Sequence, residues 1–511
     1  MTTIISKLPV ILGLRRSPSI PIGHQGNLEL LRSWLQNCDR KHSCTSRHLH
    51  QKSKGPYLPT RVINVNPSGD AEDLRLDTPS KTDRSRYLAL SHCWGQSDID
   101  KNPPWRTLRA NIESRRKGFK LSDLLKTFKD AVYVTRELGI PYLWIDSICI
   151  IQGQDGDWEA ESRKMDQVFT SAYCTIAATS APDARAGFWK APVENESFYV
   201  RGATKRCFYV TTNVADFDKD VASAGLNQRA WVMQERFLSS RTIHFTDTQI
   251  YGECGEGVYA GDKIFLRSKY RTTKSFEVDA QFPSRLQSSG IIATWKFVQS
   301  MLGNYSGRGL TELSDKAIAI SGLMARVSEA LHCPIHFGII EWYLHRTLLW
   351  KRSSKQKTGR IDYNPQRYVP SWSWMSYGGA IEFPRIDFSS LDVLKGLSFN
   401  DRYVTTMIWR VANSGMGFVK AGNDDLPYQL QNSSGLNGGW LQLDDEREDN
   451  ALSPVPYVAV LAKYNRRPAD CLDYLVIFVR PRASQSGYSR LGMGGLHRTC
   501  TLEEVGRGDI F

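Results

Sequence analysis

Residues 87–95 read YLALSHCWG, and residues 142–152 read YLWIDSICIIQ. Each is an apolar run too short for a helix that ends in polar and turn-forming residues, the pattern of a strand covered on both faces. We read strands at 87–91 and 142–151, the second with Asp146 inside it. Between them, 122–138 carries Leu125, Phe128, Val132 and Leu138 on one helical face, with Ser122 as N-cap and Gly139 and Pro141 as the stop. A polar turn, a helix over 157–172 and a third strand over 174–179 follow. Strands separated by helices predict βαβ units and a parallel sheet.

Working outward, 28–37 has a helical apolar stripe and 61–65 a short strand, while 181–225 is an irregular excursion. A helix over 228–239 then leads into strands at 241–245 and 249–253. Beyond 256 we expect helices at 292–303, 314–331 and 339–348, mixed with strand-like stretches at 370–379 (PSWSWMSYGG) and 457–464. The GMGG at 492–495 reads as a turn, and the charged run 444–449 as a solvated loop.

Composition narrows the function classes. With 511 residues, 41% apolar and 14 Trp, the chain can bury large cores and is not a disordered, collagenous or coiled-coil protein. No apolar run approaches the ~18–20 residues of a membrane span. At 1–19 the basic residues follow the apolar patch, so the segment reads as neither signal peptide nor span. The net charge of +13 permits an anionic partner, but the basic residues are scattered and do not favour nucleic acid. Ten Cys occur without any CxxC, so they read as small buried hydrophobes in a reducing compartment. Cys38, His42 and Cys44 could be three zinc ligands, with His48 or His50 needed to complete the set. That spacing fits no standard zinc module, and the reading assigns no metal.

The sequence contains no GxxxxGK[ST], no GxGxxG after a strand, no HExxH and no GxSxG. Nucleotide hydrolysis on a phosphate loop, Rossmann redox chemistry, zinc proteolysis and serine hydrolysis therefore have no support. Three clusters remain. Ser91-His92-Cys93-Trp94-Gly95 stands at the C-terminal end of a strand, where open parallel sheets bind ligands, although the residue types by themselves favour a plain tight turn. His92 and Cys93 are strand neighbours and should point to opposite faces, which argues against a catalytic dyad. Asp146, a carboxylate in a buried run, needs a partner and could orient a substrate hydroxyl or serve a structural role. In RAWVMQERFLSSR, Trp231 and Glu235 lie one helical turn apart on one face. A desolvated carboxylate there suits acid–base work or stabilisation of a cation, while the structural alternative pairs Glu235 with Arg229, Arg236 or Arg241.

Taken together, three blocks resemble the fungal heterokaryon-incompatibility (HET) domain: YLALSHCWG, then LWIDSICIIQ with DW..ES.KM..VF..A..TIAA, then LNQRAWVMQERFLSSRTIHFT..QIYGEC. Upstream W…C…H.C…LPTRVI and downstream TELSDKAIAISGL and PSWSWMSYGG are similar to the family as well. His92 stands where the family often has Tyr, and Ile151 where it often has Asn. The resemblance implies an N-terminal extension (1–85) packing on the core, a HET domain (86–255) and a C-terminal mixed α+β companion region (256–511). It implies a flavodoxin-like, distantly TIR-like parallel sheet with flanking helices. It also implies a cytoplasmic effector of non-self recognition and regulated cell death, with self-association and a protein partner. Some TIR domains cleave the nicotinamide–ribose bond of NAD with a Glu in a WxxxE-like helix, the spacing of Trp231 and Glu235. On that reading Glu235 is catalytic; Ser91, Trp94, Gly95, Asp146, Arg229 and Trp231 bind substrate; NAD is the substrate, with no cofactor and no metal. The rivals are a non-enzymatic assembly module and a HET-fold enzyme recruited to a biosynthetic reaction.

Overall fold

The computed structural model describes residues 13–15, 24–42, 44, 57–95, 105–190, 197–201, 207–211, 216–260, 264–266 and 286. It also describes 289–511 apart from 354–358, 365–366, 388–389, 394–395, 413–415, 422–427, 433, 446, 449–451, 453–456, 466–471 and 484–485. The chain divides into two units, Met1–Phe282 and Pro283–Phe511.

The first unit is built on a ten-stranded sheet. Its strands are β1 (Val62–Asn64), β2 (Asp73–Asp77), β3 (Tyr87–Ser91), β4 (Phe119–Lys120), β5 (Tyr142–Trp144), β6 (Cys174–Ala177), β7 (Arg241–Phe245), β8 (Ile250–Cys254), β9 (Gly257–Ala260) and β10 (Ile264–Leu266). They lie in the order β10-β9-β8-β7-β6-β3-β5-β1-β2-β4. Only the four central strands are mutually parallel: β3 pairs with β5 and β6, and β6 with β7. Numbered along the chain, these four run 2-1-3-4. Antiparallel strands extend both edges, so the expectation of a parallel sheet is corrected to a mixed one. The parallel part is confined to strands joined through helices, because two parallel neighbours need a long crossover while β7–β8–β9 turn back tightly.

Flanking helices are α1 (His24–Lys41), α2 (Lys126–Glu137), α3 (Asp146–Cys149), α4 (Met165–Ser171) and α5 (Ala230–Leu238). Helix α2 starts at Lys126 with Leu125 at its N-cap, and Ser122 sits in a preceding 3-10 turn, so Ser122 is not the cap. The second strand ends at Trp144, not at 151. There the Asp146 carboxylate accepts the Ser147 N–H at 2.6 Å and the chain turns into α3. A short carboxylate side chain that satisfies a nearby backbone donor competes with the sheet ladder and favours a turn. The excursion after β6 includes a hairpin, Ser197–Arg201 with Cys207–Thr211, that pairs with Gly13–Arg15 in a separate antiparallel sheet.

The second unit holds helices Ile291–Ser306 and Ser321–Leu331 and a second large sheet whose pairings are mostly antiparallel. Three expectations are corrected here. PSWSWMSYGG is not a strand: Ser373 caps a 3-10 turn, Trp374–Ser376, through the Met375 N–H. GMGG is not a turn but lies within strand Tyr488–Leu496; a Cβ at Gly494 would come 2.1 Å from the Trp440 carbonyl oxygen, so glycine permits a close strand approach there. Asp444 is not solvated. It is buried and takes Arg490 Nε at 2.6 Å and Nη2 at 3.1 Å, while the Arg490 guanidinium lies 3.7 Å from the Trp350 ring centroid. Among the described residues no helix is long and apolar enough to cross a membrane.

Candidate functional site

β3 and β5 run side by side with Ala89 opposite Trp144. Two residues further on, Ser91 and Asp146 therefore leave the sheet at the same edge, the C-terminal ends of the parallel strands. Ser91 is also opposite Ala177 of β6. In the 2-1-3-4 order the chain reverses direction between β3 and β6, the position where open α/β sheets form a crevice.

The chain beyond Ser91 sends alternate side chains to opposite faces, as a strand does. His92 is buried against Phe128 of α2, with ring centroids 5.1 Å apart. Its Nε2 stands 3.9 Å from Asp146 Oδ1, and burial pulls its pKa down to about 4, so the ring is neutral at pH 7. Cys93 packs the other way, on Ala177, Leu226 and Val232, and burial pushes its thiol up. Trp94 donates its indole N–H to Asp146 Oδ2 at 2.9 Å and meets Trp105 edge-on. Gly95 has φ of +96°, and a Cβ there would come 2.8 Å from Asp183 Cβ, so the turn requires glycine.

α5 brings the second half. Arg229, its N-cap residue, donates from Nη1 to the His92 carbonyl at 2.5 Å and ties the helix start to the end of β3. Glu235 is 7% exposed, and its Oε2 is buried without a hydrogen-bond partner. Burial raises its pKa to about 7; Ser91 and Arg229 oppose the rise and Asp146 adds to it. The charges of Arg229 and Asp146 thus both act on the Glu235 carboxyl. The Ser91 hydroxyl is close enough to act on the carboxyl, although its Oγ closes no hydrogen bond of ordinary geometry.

Glu235 makes no ion pair among the described residues. Arg236 is bound by Glu253, Arg241 by Asp39, and Arg229 by the His92 carbonyl. Trp231 turns its ring to Trp158 at 6.3 Å, edge-on. Asp146 is a turn residue held by Trp94 and Ser147, which fits a positioning role for it. Cavities of about 540 and 450 Å³, one lined by Arg32, Asp39 and Tyr173 and the other by Arg75, Asp83 and Tyr142, include none of the site residues read from the sequence.

Residues 87–235 match the family model of the heterokaryon incompatibility protein (HET). No curated protein and no solved structure matches the chain. The HET match begins on the first residue of β3 and ends on Glu235, so it encloses every site residue named above. It relates this segment to heterokaryon incompatibility.

Beyond the HET segment lies a buried network that sequence reading missed. Arg236 grips Glu253 with Nε at 2.9 Å and Nη2 at 2.8 Å, and His244 Nε2 meets the same carboxylate at 2.6 Å. The alternation in RTIHF and IYGEC carried no sign of it, because the partners are set by the β7–β8 register. Asp146 itself supplies a test of the HET turn. Trp94→Phe removes one charge-assisted hydrogen bond and leaves the Ser147 N–H in place, so stability in urea unfolding should fall by about 1–2 kcal/mol. Unchanged stability would mean that the indole bond does not hold the turn.

Proposed function

We propose that the HET segment is a flavodoxin-like, TIR-like module that cleaves the nicotinamide–ribose bond of NAD at Glu235, as an effector of non-self recognition and regulated cell death. One arrangement carries the reading: a buried carboxyl that makes no ion pair among the described residues, its pKa pushed up to about 7 by burial, lies beside Ser91 at the C-terminal edge of the parallel strands. A carboxyl with that pKa is substantially ionised at neutral pH and can still exchange a proton, which suits acid–base work.

The bond that breaks joins ribose C1′ to the nicotinamide nitrogen. Its electron pair leaves with nicotinamide, and positive charge develops on the ribose. Ionised Glu235 stabilises that charge, as carboxylates do in glycoside cleavage, and accepts a proton from the water that adds to C1′. The products are nicotinamide, ADP-ribose and a proton. Ser91 and Arg229 would position ribose and phosphate oxygens, with Trp94, Gly95, Asp146 and Trp231 shaping the surround.

The non-enzymatic assembly module is favoured by a different observation. Glu235 Oε2 has essentially no solvent-accessible surface, so NAD entry requires the site to open. Purified full-length protein incubated with NAD distinguishes the two. The NAD reading expects nicotinamide release that rises more steeply than linearly with protein concentration, because self-association would complete the site. No release at any concentration, crowded or clustered, would overturn the enzymatic reading in favour of the assembly module.

A further inference from the structure

The three N-terminal ligand candidates converge with a fourth residue from the opposite end of the unit. Cys38, His42, Cys44 and Cys254 each offer one ligand atom, and these atoms all lie within 4.8 Å of one another. We infer that Cys38, His42, Cys44 and Cys254 bind a structural zinc ion that fastens α1 to the β8–β9 hairpin.

The geometry fits a tetrahedral S₃N site. With zinc–sulfur bonds of about 2.3 Å, ligand atoms at the corners of a tetrahedron are about 3.8 Å apart, and Cys254 Sγ is 3.5 Å from His42 Nδ1. Cys38 and His42 are four residues apart on one helical turn, closed by the His42 N–H on the Cys38 carbonyl at 3.1 Å. Cys254 is the last residue of β8, opposite Gly257 across a two-residue turn. The three sulfur residues are 3% exposed or less. Three thiols and an imidazole are soft, nitrogen- and sulfur-rich ligands that select zinc over magnesium or calcium, and four protein ligands leave no open position for catalysis.

The surroundings supply what a bound zinc ion needs. His42 Nε2 lies 3.4 Å from the Tyr259 hydroxyl, which can accept a proton from Nε2 while Nδ1 ligates. α1 is already seated on the strand: a Cβ at Gly252 would come 2.6 Å from the Trp34 ring. Cys254 is opposite Arg241, the first residue of β7. The cluster therefore sits at the other end of the parallel strands from Ser91, and this inference stands independently of NAD cleavage.

The missing ligand was invisible in the sequence. A local set would have needed His48 or His50 as its fourth ligand, and both lie outside the described residues. Cys254 follows Cys44 by more than two hundred residues, and only the packing of α1 on β8 brings them together.

The test is the metal content of full-length protein purified in reducing, chelator-free buffer. About one zinc per chain is expected by elemental mass spectrometry, with cobalt substitution giving the absorption of a tetrahedral thiolate site. Cys254→Ser should lose the zinc, Tyr259→Phe should weaken affinity by about 10-fold, and Cys333→Ser should keep it. If Cys254→Ser does not fold, release of zinc from the wild-type protein by a thiol-blocking mercurial decides the matter. Metal-free wild-type protein, a disulfide among the three cysteines, or full zinc in Cys254→Ser would overturn the inference.

Discussion

Glu235→Gln is expected to lower nicotinamide release by about 10²–10⁴-fold and, above pH 7, to stabilise the protein by about 3 kcal/mol. Both effects follow from one carboxyl. In the unfolded chain it ionises near the ordinary 4.5, whereas burial in the fold raises the value to about 7. Between those values the folded protein binds more protons than the unfolded chain, so stability falls as pH rises from 4.5 to 7, and the loss is complete above that. Glutamine cannot ionise and escapes the loss. The difference between variant and wild type in urea unfolding should be small below pH 4.5 and grow to its full size above pH 7. The wild-type rate should rise with pH through the same range, because the ionised form stabilises the ribosyl cation. A pH-independent difference would show that Glu235 is not held protonated by burial. Stabilisation with no wild-type turnover would leave a strained buried acid without chemistry, as the assembly reading requires. Stability gained where activity is lost is the usual trade at a functional site.

What could be read from residues alone follows the range of the interactions involved. YLALS and RTIHF gave their strands to the residue, because both are local apolar runs in the sheet interior. The parallel core was legible for the same reason, since helices separate its strands. The antiparallel edges were not foreseen as parts of the same sheet, because β1, β2 and β8–β10 join it through pairings that leave no local signature. Asp146 was misplaced because one carboxylate, by accepting the Ser147 N–H, ended a run that periodicity would have extended. The helix expected over 228–239 runs Ala230–Leu238 and carries Glu235, but the absence of an arginine ion pair there among the described residues was not foreseeable: three arginines lie within six residues of it. Each is bound elsewhere, to Glu253, to Asp39 and to the His92 carbonyl. Cys254 and Glu253 were missed together, as adjacent residues on β8 whose partners come from α1, α5 and β7.

Glu253→Ala is expected to destabilise the first unit by about 3–5 kcal/mol, the usual consequence of removing one partner from a buried ion pair. Arg236, Glu253 and His244 are all 9% exposed or less, and the Phe217 ring covers the guanidinium. Burial alone would raise the Glu253 pKa, but Arg236 and His244 outweigh it and hold the carboxyl at about 2. Its stabilising effect is therefore present above the unfolded value of 4.5 and is lost as pH falls through 2, opposite in sign to Glu235. Arg236→Met combined with Glu253→Leu should recover most of the stability, because an apolar pair of similar volume needs no desolvation of charge. Recovery should be incomplete, since His244 Nε2 loses the Glu253 carboxylate while Nδ1 keeps Thr179 at 3.4 Å. Urea unfolding of the single and double variants at neutral pH measures both steps. If the Ala variant unfolds at the wild-type midpoint, α5 is held by its apolar packing and by the Arg229 bond to the His92 carbonyl, and the network does not position Glu235. If the single loss is large and the double variant recovers, the loss is the cost of leaving the Arg236 charge buried without its carboxylate, and the packing of α5 on β7 and β8 keeps Glu235 beside Ser91 without the ion pair.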